Sequence, residues 1–127
     1  MHWRGQSKDM NSMAIYGDVV SDVISELQER VDAALDAGIT AENLIIDPGL
    51  GFAKDADHNW AIIDAIDQFV ALGYPVLVGA SRKRFLGGDT PDEREQATID
   101  LTKRLAPTGV WAVRVHSVKP HKEVLAV

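Results

Sequence analysis

The triplet Leu44-Ile45-Ile46 is apolar at every position and runs directly into Asp47-Pro48-Gly49-Leu50-Gly51-Phe52. A strand with no polar side needs cover on both faces, as in a parallel sheet flanked by helices. The flanking segments have the matching period. From Asp18 to Gly38, Val20, Val23, Ile24, Leu27, Val31, Ala34 and Leu35 recur at three- and four-residue steps, with Gly38 placed to close a helix. After the Asp47 loop, Ala61, Ile62, Ile63, Ala65, Ile66, Phe69, Val70 and Leu72 repeat the pattern up to Gly73. Pro75 to Val78 is a second short apolar run, which tolerates its proline because the proline opens it. Thr90, Pro91 and Glu93 spell a capping box with proline at the first helical position, so a third helix is expected to carry Ala97, Leu101 and Leu105 inward until Pro107 and Gly109 end it. Alternation from Trp111 to His116 predicts a third strand, and one more helix is expected from Lys119 onward.

Short apolar strands separated by helices of about four turns describe right-handed crossover units in a parallel sheet, so the expected class is α/β. The 127 residues suit one domain with a real core. The loop from Gly5 to Gly17 is the most irregular part, and no repeat, linker or low-complexity stretch interrupts the chain.

Charge narrows the function classes. A formal net charge of -6, with Lys and Arg scattered apart from one short group, argues against general nucleic-acid binding. An anion must be caught locally. The chain has no cysteine, which removes thiolate nucleophiles, disulfides and cysteine zinc sites and fits a reducing compartment. With no run apolar enough for a membrane span and no secretion signal, the expected location is the cytoplasm.

In parallel sheets the ligand site lies where the strands run out. The first strand end offers Asp47, the loop glycines and Phe52. An inward Asp47 carboxylate needs a donor: either a ligand amine or amide, or the backbone N–H groups of its own turn. The second offers Gly79, Ala80, Ser81, Arg82, Lys83 and Arg84. If Ser81 caps a helix, three cations crowd its positive end, a conflict that an anionic ligand relieves; the alternative is three solvated surface charges. The third offers Arg114 and His116, two residues apart and therefore on one face. They suit a phosphate, a flat ring or a proton transfer, or else they pair with carboxylates of a neighbouring strand. His58 and Asn59 are expected to cap or start the second helix, and His2 to line the site from an earlier strand. No two histidines have a metal-ligand spacing, so protein-bound zinc is not expected.

Taken together and in order, "MHWRG", "LIIDPGLGFAKDADHNW", "PVLVGASRKRFLGG" and "VRVH" resemble dihydropteroate synthase, a folate-pathway family with a (β/α)8 barrel. The resemblance covers almost the whole chain. It implies that residues 1–127 are the carboxyl-terminal half of a pterin-binding TIM barrel, about strands 5 to 8, since a full barrel needs roughly 250 residues. The implied reaction condenses 6-hydroxymethyl-7,8-dihydropterin pyrophosphate with p-aminobenzoate, with magnesium assisting departure of pyrophosphate. By resemblance, Asp47 holds the amino-pyrimidine edge of the pterin and Lys83 its oxygen and ring nitrogen. Arg114 flanks the ring and helps bind the leaving pyrophosphate, to which His116 donates. Lys83, Arg114 and His116 form the implied catalytic set. Phe52 matches the aromatic wall of the p-aminobenzoate pocket, and the segment after Ser81 faces its carboxylate. Arg84 stands where some relatives have serine, which makes a guanidinium the carboxylate contact. Met1 and Gly79, at their strand ends, complete the substrate-binding set. Ser117 replaces an aspartate often seen after the histidine.

The resemblance also implies a longer parent. Met1 matches an internal methionine of the family, and the family's other half carries the asparagine tied to magnesium and pyrophosphate and two mobile loops. The parent is expected to be the enzyme, a transferase, and this segment alone to be inactive. Open parallel edges predict a homodimer or higher association. Two other readings remain at this level: a non-catalytic pterin-binding paralogue and a pterin-dependent methyltransferase.

Overall fold

In the computed structural model, residues 1–6 and 8–126 are described. Ser7, within the irregular loop from Gly5 to Gly17, and Val127, at the end of the expected last helix, lie outside them. Helix α1 spans Val19–Asp36, α2 Ala56–Asp64 and α3 Ile66–Val70, followed by strand β1 at Leu77–Val78, helix α4 at Pro91–Leu105, strand β2 at Ala112–Val113 and helix α5 at Val118–Leu125.

Strands β1 and β2 pair in parallel, Leu77 with Ala112 and Val78 with Val113. Ile46 forms a parallel bridge to Val76, its N–H donating to Pro75 O at 2.9 Å while Leu77 N donates to Ile46 O at 2.8 Å. On the other side, His2 N donates to Asp47 O at 2.9 Å, setting the amino-terminal segment beside the Asp47 loop. Spatial order thus follows chain order. Successive right-handed crossovers between neighbours put their helices on the same face of a sheet.

That geometry corrects one expectation. Ile46, Val76 and Val78 face the helices and are buried, whereas Ile45 is 47% exposed and Leu77 only half-buried. The Leu44–Ile46 run is covered on one face, not two, because no crossover among the described residues places a helix over the other. It also contributes a single bridge rather than a ladder.

The helices otherwise follow the sequence. Asp18 caps α1 by accepting from Ser21 N, and Val23, Leu27 and Val31, four apart, bury the stripe that meets Ile46, Leu50 and Ile62 in the core. The second expected helix begins earlier, behind a capping box in which Asp55 accepts from His58 N and the His58 ring accepts from Asp55 N. It is then divided at Ala65, whose φ of -107° and ψ of 22° break the ladder between α2 and α3. Thr90 and Glu93 form the predicted capping box, with Pro91 as the first residue of α4. Ser81 caps no helix: Arg82 takes a left-handed φ of 57° and only a short turn at Arg84–Leu86 follows. No macrodipole therefore acts on Arg82, Lys83 and Arg84.

Candidate active site

The loop after Ile46 is shaped by left-handed residues at Gly49, Gly51 and Ala53, which turn successive peptide groups inward. Gly49 has no alternative: its φ is 72°, and a Cβ there would meet His2 O at 1.9 Å. Within this curl Asp47 caps its own turn and also meets a side chain of the third strand end. Oδ1 accepts from Gly49 N at 2.8 Å, the turn-capping role, while Oδ2 faces Arg114 Nη1 at 3.5 Å. Asp47 is buried, so its remaining lone pairs form a desolvated acceptor set.

Lys83 crosses from the loop after β1. Its Nζ donates to Leu50 O at 2.5 Å and stands 4.9 Å from the centre of the Phe52 ring, a cation–π distance. Burial pushes its ammonium below the usual lysine range, with Arg114 adding to the effect and Asp47 opposing it. Gly79 makes room for Arg114, since a Cβ there would lie 2.4 Å from Nη2. Ser81 Oγ lies 2.7 Å from His116 Nδ1 and accepts from His116 N at 3.1 Å, so the serine orients the imidazole.

These side chains border two hollows that share Lys83. The larger, of 580 Å³, lies between Phe52, Phe85, Arg84 and Asn59; the smaller, of 170 Å³, is lined by Gly79, Ser81, Arg114 and His116. The larger combines two aromatic rings with cationic side chains, and the smaller is lined by hydrogen-bond donors. Asp47 lines neither and meets the smaller one through Arg114. The structure thus brings Asp47, Phe52, Gly79, Ser81, Lys83, Arg84, Arg114 and His116 to one end of the sheet. Met1 is set apart, in a hollow of 340 Å³ with Trp3, Met10 and Phe52, so it reaches the others only across the Phe52 ring.

Several expectations change. Arg82 is not a free surface charge: Nε bonds Glu95 at 2.6 Å and Nη2 bonds Ser117 Oγ at 3.0 Å, fastening the loop to α4 and to the start of α5. Of the strand-end pair, Arg114 does meet a carboxylate but His116 meets Ser81. His2 is 2% exposed and underpins the Asp47 loop rather than lining either hollow. Sequence reasoning missed Lys54 and gave Asn59 too small a part. Lys54 is buried, with Nζ donating to Gly49 O and Phe52 O, both at 2.9 Å, and lying 2.8 Å from His2 Nδ1. Asn59 Oδ1 accepts from Gly51 N at 2.8 Å. A signal existed: a loop curled by glycines turns carbonyls inward, and these demand donors from nearby side chains.

The sequence model of the pterin binding enzyme family matches residues 1–116. Dihydropteroate synthase of Mycobacterium leprae is 45% identical over 137 residues, covering 100% of this chain and 48% of that one. The Thermus thermophilus dihydropteroate synthase solved in complex with 4-aminobenzoate superposes with a TM-score of 0.87 at 38% identity, covering 93% of this chain and 47% of that one. The same enzyme in complex with 6HMPPP gives 0.84 at 39% identity, covering 91% and 47%. The chain spans about half the length of these relatives. Sequential parallel strands with helices on one face are the TIM-barrel-type α/β arrangement that these neighbours imply. Fold and sequence agree that the chain belongs to the pterin binding enzyme family.

Proposed function

We propose that this chain supplies the carboxyl-terminal half of a dihydropteroate synthase barrel, about strands 5 to 8, and that the whole enzyme joins 6-hydroxymethyl-7,8-dihydropterin pyrophosphate to p-aminobenzoate. The observation that carries the reading is Lys83, a half-buried cation bordering both an aromatic-walled hollow and a hollow of donors, with the Asp47 carboxylate close enough to act on its charge. Relatives bound to 4-aminobenzoate and to 6HMPPP support the pairing of a flat aniline with a pyrophosphorylated ring.

The chemistry assigns roles. Asp47 accepts N–H bonds from the amino-pyrimidine edge through lone pairs not used by Gly49. Lys83 donates to the ring oxygen and nitrogen. As the C–O bond to pyrophosphate breaks, negative charge grows on the leaving group. Arg114 and His116, exposed at the strand end, are the donors that meet it. The electron-rich pterin carries the matching positive charge until the aniline nitrogen attacks, with Phe52 walling its ring and Arg84 holding its carboxylate.

Magnesium belongs to this proposal, but among the described residues no group of three or more His, Asp or Glu side chains is placed to hold a metal ion. The residues here contribute cations rather than metal ligands. Among the described residues no helix is long and apolar enough to cross a membrane. A cytoplasmic homodimer is the proposed setting.

The test is complementation in vitro. The chain mixed with the amino-terminal half of a relative's barrel, both substrates and magnesium should form dihydropteroate, while the chain alone should form none. Lys83→Ala or Asp47→Asn should lower the rate of the mixture by roughly 100-fold, the cost of one lost charge-assisted contact or more. Unaltered turnover in both variants would overturn the assignment.

A further inference from the structure

Among the described residues, Lys54 has no counter-ion in contact. Among the described residues its Nζ hydrogen-bonds Gly49 O, Phe52 O and His2 Nδ1, at 2.9, 2.9 and 2.8 Å, and its side chain is buried. A buried ammonium held by neutral acceptors is costly, and losing its proton removes most of that cost. The neutral amine still fits. It has two N–H groups for the two carbonyls and one lone pair for a His2 Nδ1–H, so each Nζ contact survives with His2 as the neutral Nδ1–H tautomer.

The location makes this more than a packing detail. Gly49 follows the Asp47 carboxylate by two residues, and Phe52 is the aromatic wall. Gly49 O already accepts from Phe52 N at 3.0 Å, and Lys54 closes the same ring from below. Tyr16 adds a further tie, its hydroxyl donating to Ala53 O at 2.8 Å.

We propose that Lys54 is a positioning residue of the site, a proton-linked latch that draws the Gly49 and Phe52 carbonyls together and thereby sets Asp47 and Phe52 in place. Charged and titratable groups face it from each packed segment: Asp47 in its own loop, His2 and Arg4 from the amino terminus, Glu26 from α1 and Lys83 from the loop after β1. Helix α2 meets the loop through neutral Asn59. Burial is the largest influence and lowers Lys54 to about 7, against the partial support of Asp47 and Glu26. Burial first, then Lys54, lowers His2 as well.

The sign follows from linkage. With the loop open, Lys54 reaches water and titrates near its ordinary value of about 10.4. With the loop closed it titrates near 7. Closure therefore releases a proton between these limits, and the closed loop gains on the open one as pH rises through that window. Below about 7 both forms hold the proton and the balance is flat.

The experiment uses lysine labelled at Cε in the full chain, followed by NMR, with amide exchange of Gly51 and Phe52 measured from pH 6 to 9. Lys54 is expected to titrate near 7, and protection of both amides, corrected for intrinsic exchange, to rise at least tenfold from pH 7 to 9. Lys54→Met should lose that protection and its pH slope. Lys54→Arg, which keeps donors but cannot shed its proton, should remove the slope alone. A midpoint near 10.4, or wild-type amide protection in the Met variant, overturns the latch. If either variant fails to fold, the wild-type titration and slope still decide. The link to ligand rests on the proposed function and is read separately, by calorimetry with 6-hydroxymethylpterin at pH 6.5 and 8.5. Binding should strengthen with pH in the wild type more than in Lys54→Arg, and equal strengthening in both overturns the link. A chain that takes up no pterin yet shows the titration and slope overturns the pterin reading while upholding the latch.

Discussion

Two glycines of the site do different work. At Gly49 both backbone and space exclude a side chain, because φ is 72° and the nearest atom is the rigid His2 carbonyl. At Gly79 the backbone is ordinary, and a Cβ would meet only the far end of the Arg114 side chain, which can swing away. Gly49→Ala should therefore destabilise the chain by about 2 to 4 kcal/mol, through strain and a displaced loop. Gly79→Ala should change stability by less than about 1 kcal/mol, yet move the guanidinium off the strand end. Denaturant unfolding measures the first difference, and pyrophosphate binding by calorimetry the second. Equal stability losses would mean that Arg114 is as rigidly placed as the His2 carbonyl. Both glycines were noticed in the sequence, but only the fold sets which neighbour each one makes room for.

At the scale of elements, legibility tracked how local the cause was. The α4 capping box was readable because Thr90, Pro91 and Glu93 act on one another within a single turn. Thr90→Ala should cost about 1 kcal/mol in thermal or denaturant unfolding, with Glu93→Ala costing less, since the threonine accepts from a helical N–H that otherwise has only water. The same local reading failed at Ser81, a good capping residue followed by no helix. Its hydroxyl is instead taken by His116, 35 residues away, and Arg82 is taken by Glu95. Long-range partners overrode local propensity there. The break at Ala65 was invisible for a related reason: apolar spacing continues through it, so periodicity reports a single helix. The strand-end residues were legible as a set because a parallel sheet gathers its strand ends. Lys54 was not, because a lone lysine in a loop reads as solvated until the inward carbonyls are seen.

For the whole molecule, the one-sided sheet is the dominant fact. Ile45 is 47% exposed on the face away from the helices, and Trp111, beside the last strand, is 59% exposed. Apolar surface of this kind and open strand edges favour association, with β2 pairing only with β1 among the described residues. Copies added head to tail pair unlike edges and leave one edge free at each end of the row, whereas the remaining half of a barrel shields both edges and the open face together. Light scattering on the chain alone should accordingly show a mass that grows with concentration, with no single sharp species. Adding the amino-terminal half of a relative's barrel should convert it to one species and raise the thermal midpoint, because a partner that binds only the folded state stabilises it by mass action. A monodisperse monomer at high concentration, unmoved by that half, would show that Ile45 and Trp111 need no cover, and the half-barrel proposal would fall with the association.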